Sequence, residues 1–229
     1  YLSAEKERLP ALGYNITIQD LGSEIIRSLN NAKNKANLQI FDEHVLEDID
    51  TDSNKTKLTL TNLSNNKNLD ITGKLIIATD GAESSVRKLL KISANTKSYN
   101  QSGLVTTIEL KRPVSKDNMA FERFTKDGPL ALLPCGPSHM SMVWACTPEQ
   151  AQIFKDAPKK EFLQNLQENF GYKCGRFIDC GKRIIFPLNQ TIMPDPSYNN
   201  ILFLGNAAHT LHPVAGQGFN LSITEIMQL

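Results

Sequence analysis

The chain has 229 residues, 40% of them hydrophobic and 21% charged, which is the range of ordinary globular proteins and allows one large domain or two small ones. Lysine plus arginine total 25 against 24 for aspartate plus glutamate, and a net charge of +1 gives no bulk attraction to a polyanion, so nucleic acid is not indicated as a partner. Cys135, Cys146, Cys174 and Cys180 form neither a C-x-x-C pair nor the ladder that staples small secreted domains, which predicts reduced thiols in a cytosolic setting. No apolar run approaches the roughly 20 residues of a spanning helix, and the first residues lack a signal-peptide core; membrane contact is expected to be peripheral at most. The chain opens without methionine and closes on an apolar-periodic stretch with no capping glycine or proline after it, which predicts a fragment.

Leu12 to Ile18 reads as a short extended stretch, followed by Asp20 as N-cap of a helix with Leu21, Ile25, Ile26 and Leu29 on one face, ending near Asn30 or Asn31. Leu38 to Phe41, His44 to Asp50 and Lys57 to Asn62 alternate and are separated by polar clusters, as in an antiparallel meander, with Ser64 to Asn68 as its next turn. Leu75 to Ala78 is a continuous apolar run, the pattern of a strand buried on both faces. It stops at Thr79-Asp80-Gly81, and a helix is predicted from Ser84, so this unit is strand, glycine turn, helix, which commonly places ligands at the strand end.

Four strands are predicted next, over Leu104 to Leu110, Ala120 to Phe124, Leu130 to Leu133 and Met140 to Cys146, with turns at Asp127-Gly128-Pro129 and Cys135-Gly136-Pro137. Pro158 to Phe170 is a helix carrying Phe162, Leu163, Leu166 and Phe170 on one side, with Gly171 just past its end. Arg183 to Leu188 and Ile201 to Leu204 return as strands, and a last helix is predicted from about Phe219.

The loop from Gly205 to Asn220 carries the chemistry. Gly205 lets the backbone leave a buried strand closely past a ligand, and Asn206 presents an amide that can bind a hydroxyl. Pro213-Val-Ala-Gly216-Gln217-Gly218 then puts two glycines just before a helix, where free N–H groups and the helix dipole stabilise an anion. On the glycines and histidines alone, a ligand-free strand-to-helix connection is the slightly favoured reading. His209 and His212 have a zinc-chelating spacing only on a helix, and here they sit beside Pro213 with no third ligand cluster, so a metal is not expected. Neither a serine nucleophile elbow nor a Cys-His pair is evident.

The segment from Gly205-Asn206 through His209, His212-Pro213 and Gly216-Gln217-Gly218-Phe219-Asn220 resembles the second FAD motif of class A flavoprotein monooxygenases, the family that includes para-hydroxybenzoate hydroxylase. Thr79-Asp80-Gly81, with Ser84 and Arg87, resembles the same family's Asp-Gly motif, which is linked with FAD and NAD(P)H. Phe121 to Thr125, Gly128 to Pro134 and Ser141 to Trp144 are similar to the ubiquinone-biosynthesis hydroxylases.

The resemblance implies an α/β fold: a partial Rossmann-like FAD/NAD(P)-binding domain over residues 1–98, a substrate-binding antiparallel sheet over 99–190, and a return to the FAD-binding domain over 191–229. It implies FAD as cofactor and NAD(P)H as co-substrate, with hydroxyl transfer from a flavin C4a-hydroperoxide to a polyprenylated methoxyphenol. Asn206 would contact the ribityl or diphosphate part of FAD. Gly205 would mark the turn, Pro213 and Gly216, Gln217 and Gly218 would border the flavin ring, and Asn220 would reach its pyrimidine edge. Asp80, Gly81 and Arg87 would support the diphosphate region, and Gln19 would supply a further polar contact.

Phe121, Arg123, Leu132, Pro134 and Trp144 would line the substrate pocket, although for any one of the apolar residues a place in the core is the ordinary expectation. The implied partners are the polyprenyl-phenol substrate and a ubiquinone-biosynthesis protein complex, at a cytoplasmic site peripheral to the inner membrane. Two departures stand out: the family usually has aspartate where this chain has Asn206, and its N-terminal G-x-G-x-x-G turn is absent from the sequence. A non-catalytic binding or assembly subunit, and a reductase or halogenase of the same superfamily, are the alternatives.

Overall fold

The structure is a computed structural model that describes residues 2–32, 38–113 and 119–229. In chain order the elements are α1 (Ile18–Ala32), β1 (His44–Thr51), β2 (Thr56–Asn62), β3 (Asn68–Gly73), β4 (Ile76–Ala78), α2 (Ser85–Leu89), β5 (Asn95–Leu110), β6 (Phe121–Phe124), β7 (Pro129–Gly136) and β8 (His139–Cys146). There follow α3 (Pro148–Asp156), α4 (Lys159–Phe170), β9 (Phe177–Cys180), β10 (Ile184–Ile192), β11 (Ser197–Tyr198), β12 (Ile201–Phe203), β13 (His209–Thr210) and α5 (Gly218–Met227), with 3-10 turns at Gly205–Ala207 and Pro213–Ala215. Two compact units emerge, one of Tyr1–Gln39 with Ser102–Pro187, the other of Ile40–Gln101 with Leu188–Leu229.

The first unit is built on an antiparallel sheet in which β5 from Ser102 onward pairs with β8, β8 with β7 and β7 with β6, while β9 extends β5 at its end. Side chains alternate across a strand, and the register Leu104↔Trp144↔Leu130 and Thr106↔Met142↔Leu132 fixes which residues share a face. Leu104, Ile108, Leu130, Leu132, Met140, Met142 and Trp144 on that face are completely buried. Phe154 from α3 and Phe162, Leu166 and Phe170 from α4 join the same cluster, and the Trp144 and Phe154 rings stack at 4.5 Å.

The α3 helix is absent from the sequence-based reading, although its start signal is plain: Pro148 occupies the first turn and the Thr147 hydroxyl accepts from the Gln150 N–H. As expected from its glycine, α4 ends at Gly171, which takes φ +82. Gln167 is buried inside the turn that follows, donating to the Gly171 and Gly175 carbonyls and accepting from the Phe177 N–H.

The α1 helix begins earlier than the Asp20 cap predicts. Thr17 Oγ1 accepts from the Asp20 N–H at 3.1 Å and donates to the Asp20 carboxylate at 2.6 Å, so Thr17 is the capping residue. Leu12 to Thr17 and Leu38 to Phe41 are not strands, and α1 has no buried residue, so Ile25, Ile26 and Leu29 remain exposed.

In the second unit β1, β2 and β3 form an antiparallel meander with an irregularity between Leu46 and Asp48; β1 and β2 are the expected pair, and β3 after the Ser64 to Asn68 turn supplies the third strand in place of Leu38 to Phe41. A separate sheet has the order β11, β12, β4, and β12 runs parallel to β4. Asn200, just before β12, accepts from the Thr51 and Thr56 hydroxyls and donates to the Gly73 and Lys74 carbonyls. One amide therefore ties the meander to the parallel pair. The double burial predicted for Leu75 to Ala78 holds only at Ala78; Leu75 and Ile77 are exposed.

The indole N–H of Trp144 is buried without a hydrogen-bond partner among the described residues. Trp144→Ala is expected to cost about 3–5 kcal/mol through the cavity it leaves. Trp144→Phe is expected to cost about 1 kcal/mol, because it keeps most of the ring and removes an unpaired donor. Equal losses for the two variants in chemical denaturation would show that the N–H has a partner.

Candidate functional site

The parallel register Ile76↔Ile201, Ile77↔Leu202 and Ala78↔Phe203 makes the two strands end together. The Leu204 N–H donates to the Ala78 carbonyl at 3.0 Å, so pairing persists to the point where both chains turn away. The Thr79-Asp80-Gly81 turn and the Gly205-Asn206 turn consequently leave side by side from adjacent carboxyl ends, where open α/β sheets hold ligands.

On the first of these turns, Asp80 Oδ2 accepts from the Val86 N–H at 3.0 Å, while the Ser84 hydroxyl accepts from the Arg87 N–H at 3.1 Å. Gly81 holds φ +88, a region costly for any residue with a Cβ. Arg87 folds its guanidinium back onto the Ala82 carbonyl, and its Nε is buried without a partner among the described residues.

On the second turn Gly205 takes φ +55 and Asn206 is exposed. The two histidines that follow have different tasks. His209 Nε2 lies 2.6 Å from Glu225 Oε1, whereas His212 Nδ1 accepts from the Val214 N–H at 3.2 Å and its Nε2 lies 3.1 Å from Gln101 Oε1. Because Nδ1 is an acceptor, Nε2 carries the proton of neutral His212. The Tyr99 ring packs edge-on against the imidazole at 4.9 Å. No group of three His, Cys, Asp or Glu suited to a metal occurs among the described residues.

His212 caps the 3-10 turn Pro213–Ala215, in which Pro213 is exposed, and Gly216 closes it in the left-handed conformation with φ +59. Helix α5 then starts at Gly218, and Gln217 before it makes no side-chain cap. Asn220 Nδ2 donates to Gln217 Oε1 at 3.3 Å, pairing the two across the first turn. Added Cβ atoms at Gly81, Gly216 and Gly218 would meet nothing within 4 Å. Gly216 and Gly218, beside an uncapped helix start, admit a group that must lie against backbone and that gains negative charge on reduction, as the flavin of FAD does.

The other expected site residues lie in the other compact unit. Gln19 is an exposed residue of the first turn of α1. Leu132 and Trp144 have no exposed surface and belong to the core, and Phe121 packs against that core, edge-on to Phe170. Arg123 Nη1 donates to the Phe170 carbonyl at 2.5 Å, which commits its guanidinium to the C-terminus of α4. Pro134 is half-buried, and its carbonyl accepts from Asn15. The opposite face of the same sheet carries half-exposed Val105, Ala131, Leu133 and Val143, in the register Val105↔Val143↔Ala131. Strand alternation alone separates these four from the aromatic face.

The cysteines offer no nucleophile. All four are unpaired, and burial raises every thiol, pushing Cys146 and Cys174 up to about 11.

The FAD binding domain family matches residues 12–229. The chain belongs to this family. Among curated relatives it is 30% identical over 233 residues to the ubiquinone biosynthesis monooxygenase COQ6, mitochondrial, of Drosophila melanogaster, covering 86% of this chain and 48% of that protein. It is also 30% identical to the ubiquinone hydroxylase UbiL of Rhodospirillum rubrum, covering 69% of this chain and 37% of that one. The chain thus spans about half the length, or less, of these relatives. Its mixed α/β fold matches p-nitrophenol 4-monooxygenase PnpA from Pseudomonas putida with a TM-score of 0.62 at 17% identity, over 83% of this chain and 48% of that one. CmlS, a flavin-dependent halogenase, superposes with a TM-score of 0.67 at 16% identity, over 86% and 36% respectively. Among the described residues of this family member, no helix is long and apolar enough to cross a membrane.

Burial lowers the His212 pKa below its ordinary 6.5. The neutral ring is therefore favoured in the folded protein, and its contribution is complete above about pH 6.5 and erodes as pH falls from there toward the depressed native value. Thermal melts should show a pH-dependent loss in that window that is absent from His212→Asn, whose Oδ1 can take the Val214 N–H without titrating. His212→Ala should lose about 1 kcal/mol at neutral pH as well. A wild-type pH profile identical to that of His212→Asn would refute this role.

Proposed function

We propose that the protein is a FAD-dependent hydroxylase of ubiquinone biosynthesis that acts on a polyprenylated methoxyphenol, with NAD(P)H as reductant and O2 as oxidant. The observation that carries this reading is the pair of turns, Asp80-Gly81 and Gly205-Asn206, at adjacent ends of parallel strands and continuous with the open glycines before α5. The names of the COQ6 and UbiL relatives support the pathway and reaction class.

In this function Asn206 would bind the ribityl or diphosphate part of FAD through its amide, and Gly216 to Gly218 would let backbone N–H groups approach the ring. Asp80 holds the start of α2 and so sets the turn that carries Gly81 and the helix that carries Arg87. FAD, when bound, supplies the redox chemistry between NAD(P)H and O2. The protein's share is position, exclusion of water and electrostatics, with no side chain required to form a bond to the substrate. The apolar row Val105, Val143, Ala131 and Leu133 suits the isoprenoid and ring better than the buried Trp144 face does. An isoprenoid substrate is reached from a membrane surface, which fits a peripheral site and a ubiquinone-biosynthesis assembly as partner.

The reaction consumes one methoxyphenol, one NAD(P)H, one O2 and one proton and gives one hydroxylated phenol, NAD(P)+ and water. The flavin-loaded full-length protein is expected to oxidise NAD(P)H several-fold faster when a short-chain prenyl methoxyphenol is added, and to place one atom of 18O2 in the product. Stimulated oxidation with an unlabelled product would favour a reductase or halogenase. A full-length protein that neither purifies with flavin nor takes up added FAD would favour the non-catalytic alternative.

A further inference from the structure

The loop from Gly205 to Gly218 needs its two ends fixed relative to each other, because the Gly205-Asn206 turn and the start of α5 are expected to touch different parts of one cofactor. Helix α5 has no buried residue, and Phe219, Leu221, Ile223 and Ile226 along it are exposed. The contacts that join the helix to the turn are polar and come largely from one side chain. Glu225 Oε2 accepts from the Gly205 N–H at 3.0 Å, and Glu225 Oε1 lies 2.6 Å from His209 Nε2. The side chains of His209 and Glu225 are only 14% and 24% exposed. Ser222, one turn earlier on the helix, sits so close that a Cβ on Gly205 would lie 3.1 Å from its hydroxyl.

We infer that Glu225 is a positioning residue for the cofactor loop, clasping the Gly205 N–H and the His209 ring at once so that α5 and the Gly205-Asn206 turn move as one body. The inference rests on the flavin reading of the loop. Neither Glu225 oxygen has to touch the cofactor; the carboxylate satisfies the first N–H after β12. Through His209, which pairs with Ile192 across β10 and β13, it also connects the helix to a second strand. A charge-assisted hydrogen bond is stronger than a neutral one, so a carboxylate suits this place. Glutamine retains an acceptor for Gly205 and an amide for His209 in its other tautomer, whereas alanine removes both.

The test uses the full-length protein with Glu225→Ala and Glu225→Gln, read by FAD titration, the visible circular dichroism of bound flavin and melting of the cofactor-free protein. Glu225→Ala is expected to weaken FAD binding by tenfold or more and to alter the flavin dichroism. Glu225→Gln should stay within about threefold of wild type and keep the wild-type band. The two changes in a Glu225→Ala, His209→Ala double variant should be far from additive. Wild-type affinity and dichroism in Glu225→Ala would overturn the clasp. So would a Glu225→Gln variant as impaired as Glu225→Ala, or weakened binding in Glu225→Ala matched by an equal loss of stability without cofactor and an unchanged band. If Glu225→Ala does not fold, Glu225→Gln and His209→Ala decide on the same readouts. Absence of FAD binding by the wild type would overturn the flavin reading itself, a result distinct from failure of the clasp.

Discussion

The parallel pairing of β4 with β12 is the constraint on which the candidate site depends. These strands are only three residues each, and a connection between parallel strands must cross over, so their register cannot be set by a local turn. Here the crossover contains all the chain between Ala78 and Ile201. What holds the register is the ladder itself, the Leu204 to Ala78 hydrogen bond at its end, and Asn200 at its beginning. A slip of β12 by one residue would turn Phe203, which is fully buried, toward the opposite face. It would also separate the Asp80 and Gly205 turns. The coincidence of the two turns is thus a consequence of burial in the sheet that precedes them.

The antiparallel sheet shows a second consequence of alternation. Met140, Met142, Trp144 and Phe177 fall in the cluster covered by α3 and α4, where they stabilise the unit through burial, whereas Phe124 and Phe186 of the same sheet are exposed. Arg123 donates to the Phe170 carbonyl, Arg183 to the Phe154 carbonyl while lying over the Phe162 ring, and Gln167 to turn carbonyls while accepting from the Phe177 N–H. The same strands therefore carry stability on one face and leave smaller apolar residues for the other.

Much of this was legible in the sequence. Apolar runs ending in glycine marked β4 and β12, Ser84 marked the start of α2, and Gly171 marked the end of α4. The glycines at 81, 205 and 216 stand where a positive φ is required, which explains why their pattern was informative. Other features depend on contacts that no local pattern contains. Large aromatic residues suit a core and a pocket equally well, and only the register of β7 and β8 decides that Leu132 and Trp144 are in the core. The Thr17 cap was hidden by Asp20, since both residue types cap helices and the two differ by three positions. The β5 strand extends back to Asn95 through a polar stretch with little strand character of its own.

Glu225 illustrates the limit most clearly. In sequence it is one acidic residue on a short helix, and solvated surface is the ordinary reading of such a residue. Its significance comes from a loop that returns α5 to the end of β12, 20 residues earlier in the chain. A helix held by burial would tolerate loss of a single carboxylate. Segments with few buried contacts open at the smallest free-energy cost, and in such segments single polar contacts count for more. The order of the loop is then coupled to two hydrogen bonds from one side chain, and a ligand bound across the turn and the helix start would be stabilised by the same order that it reinforces.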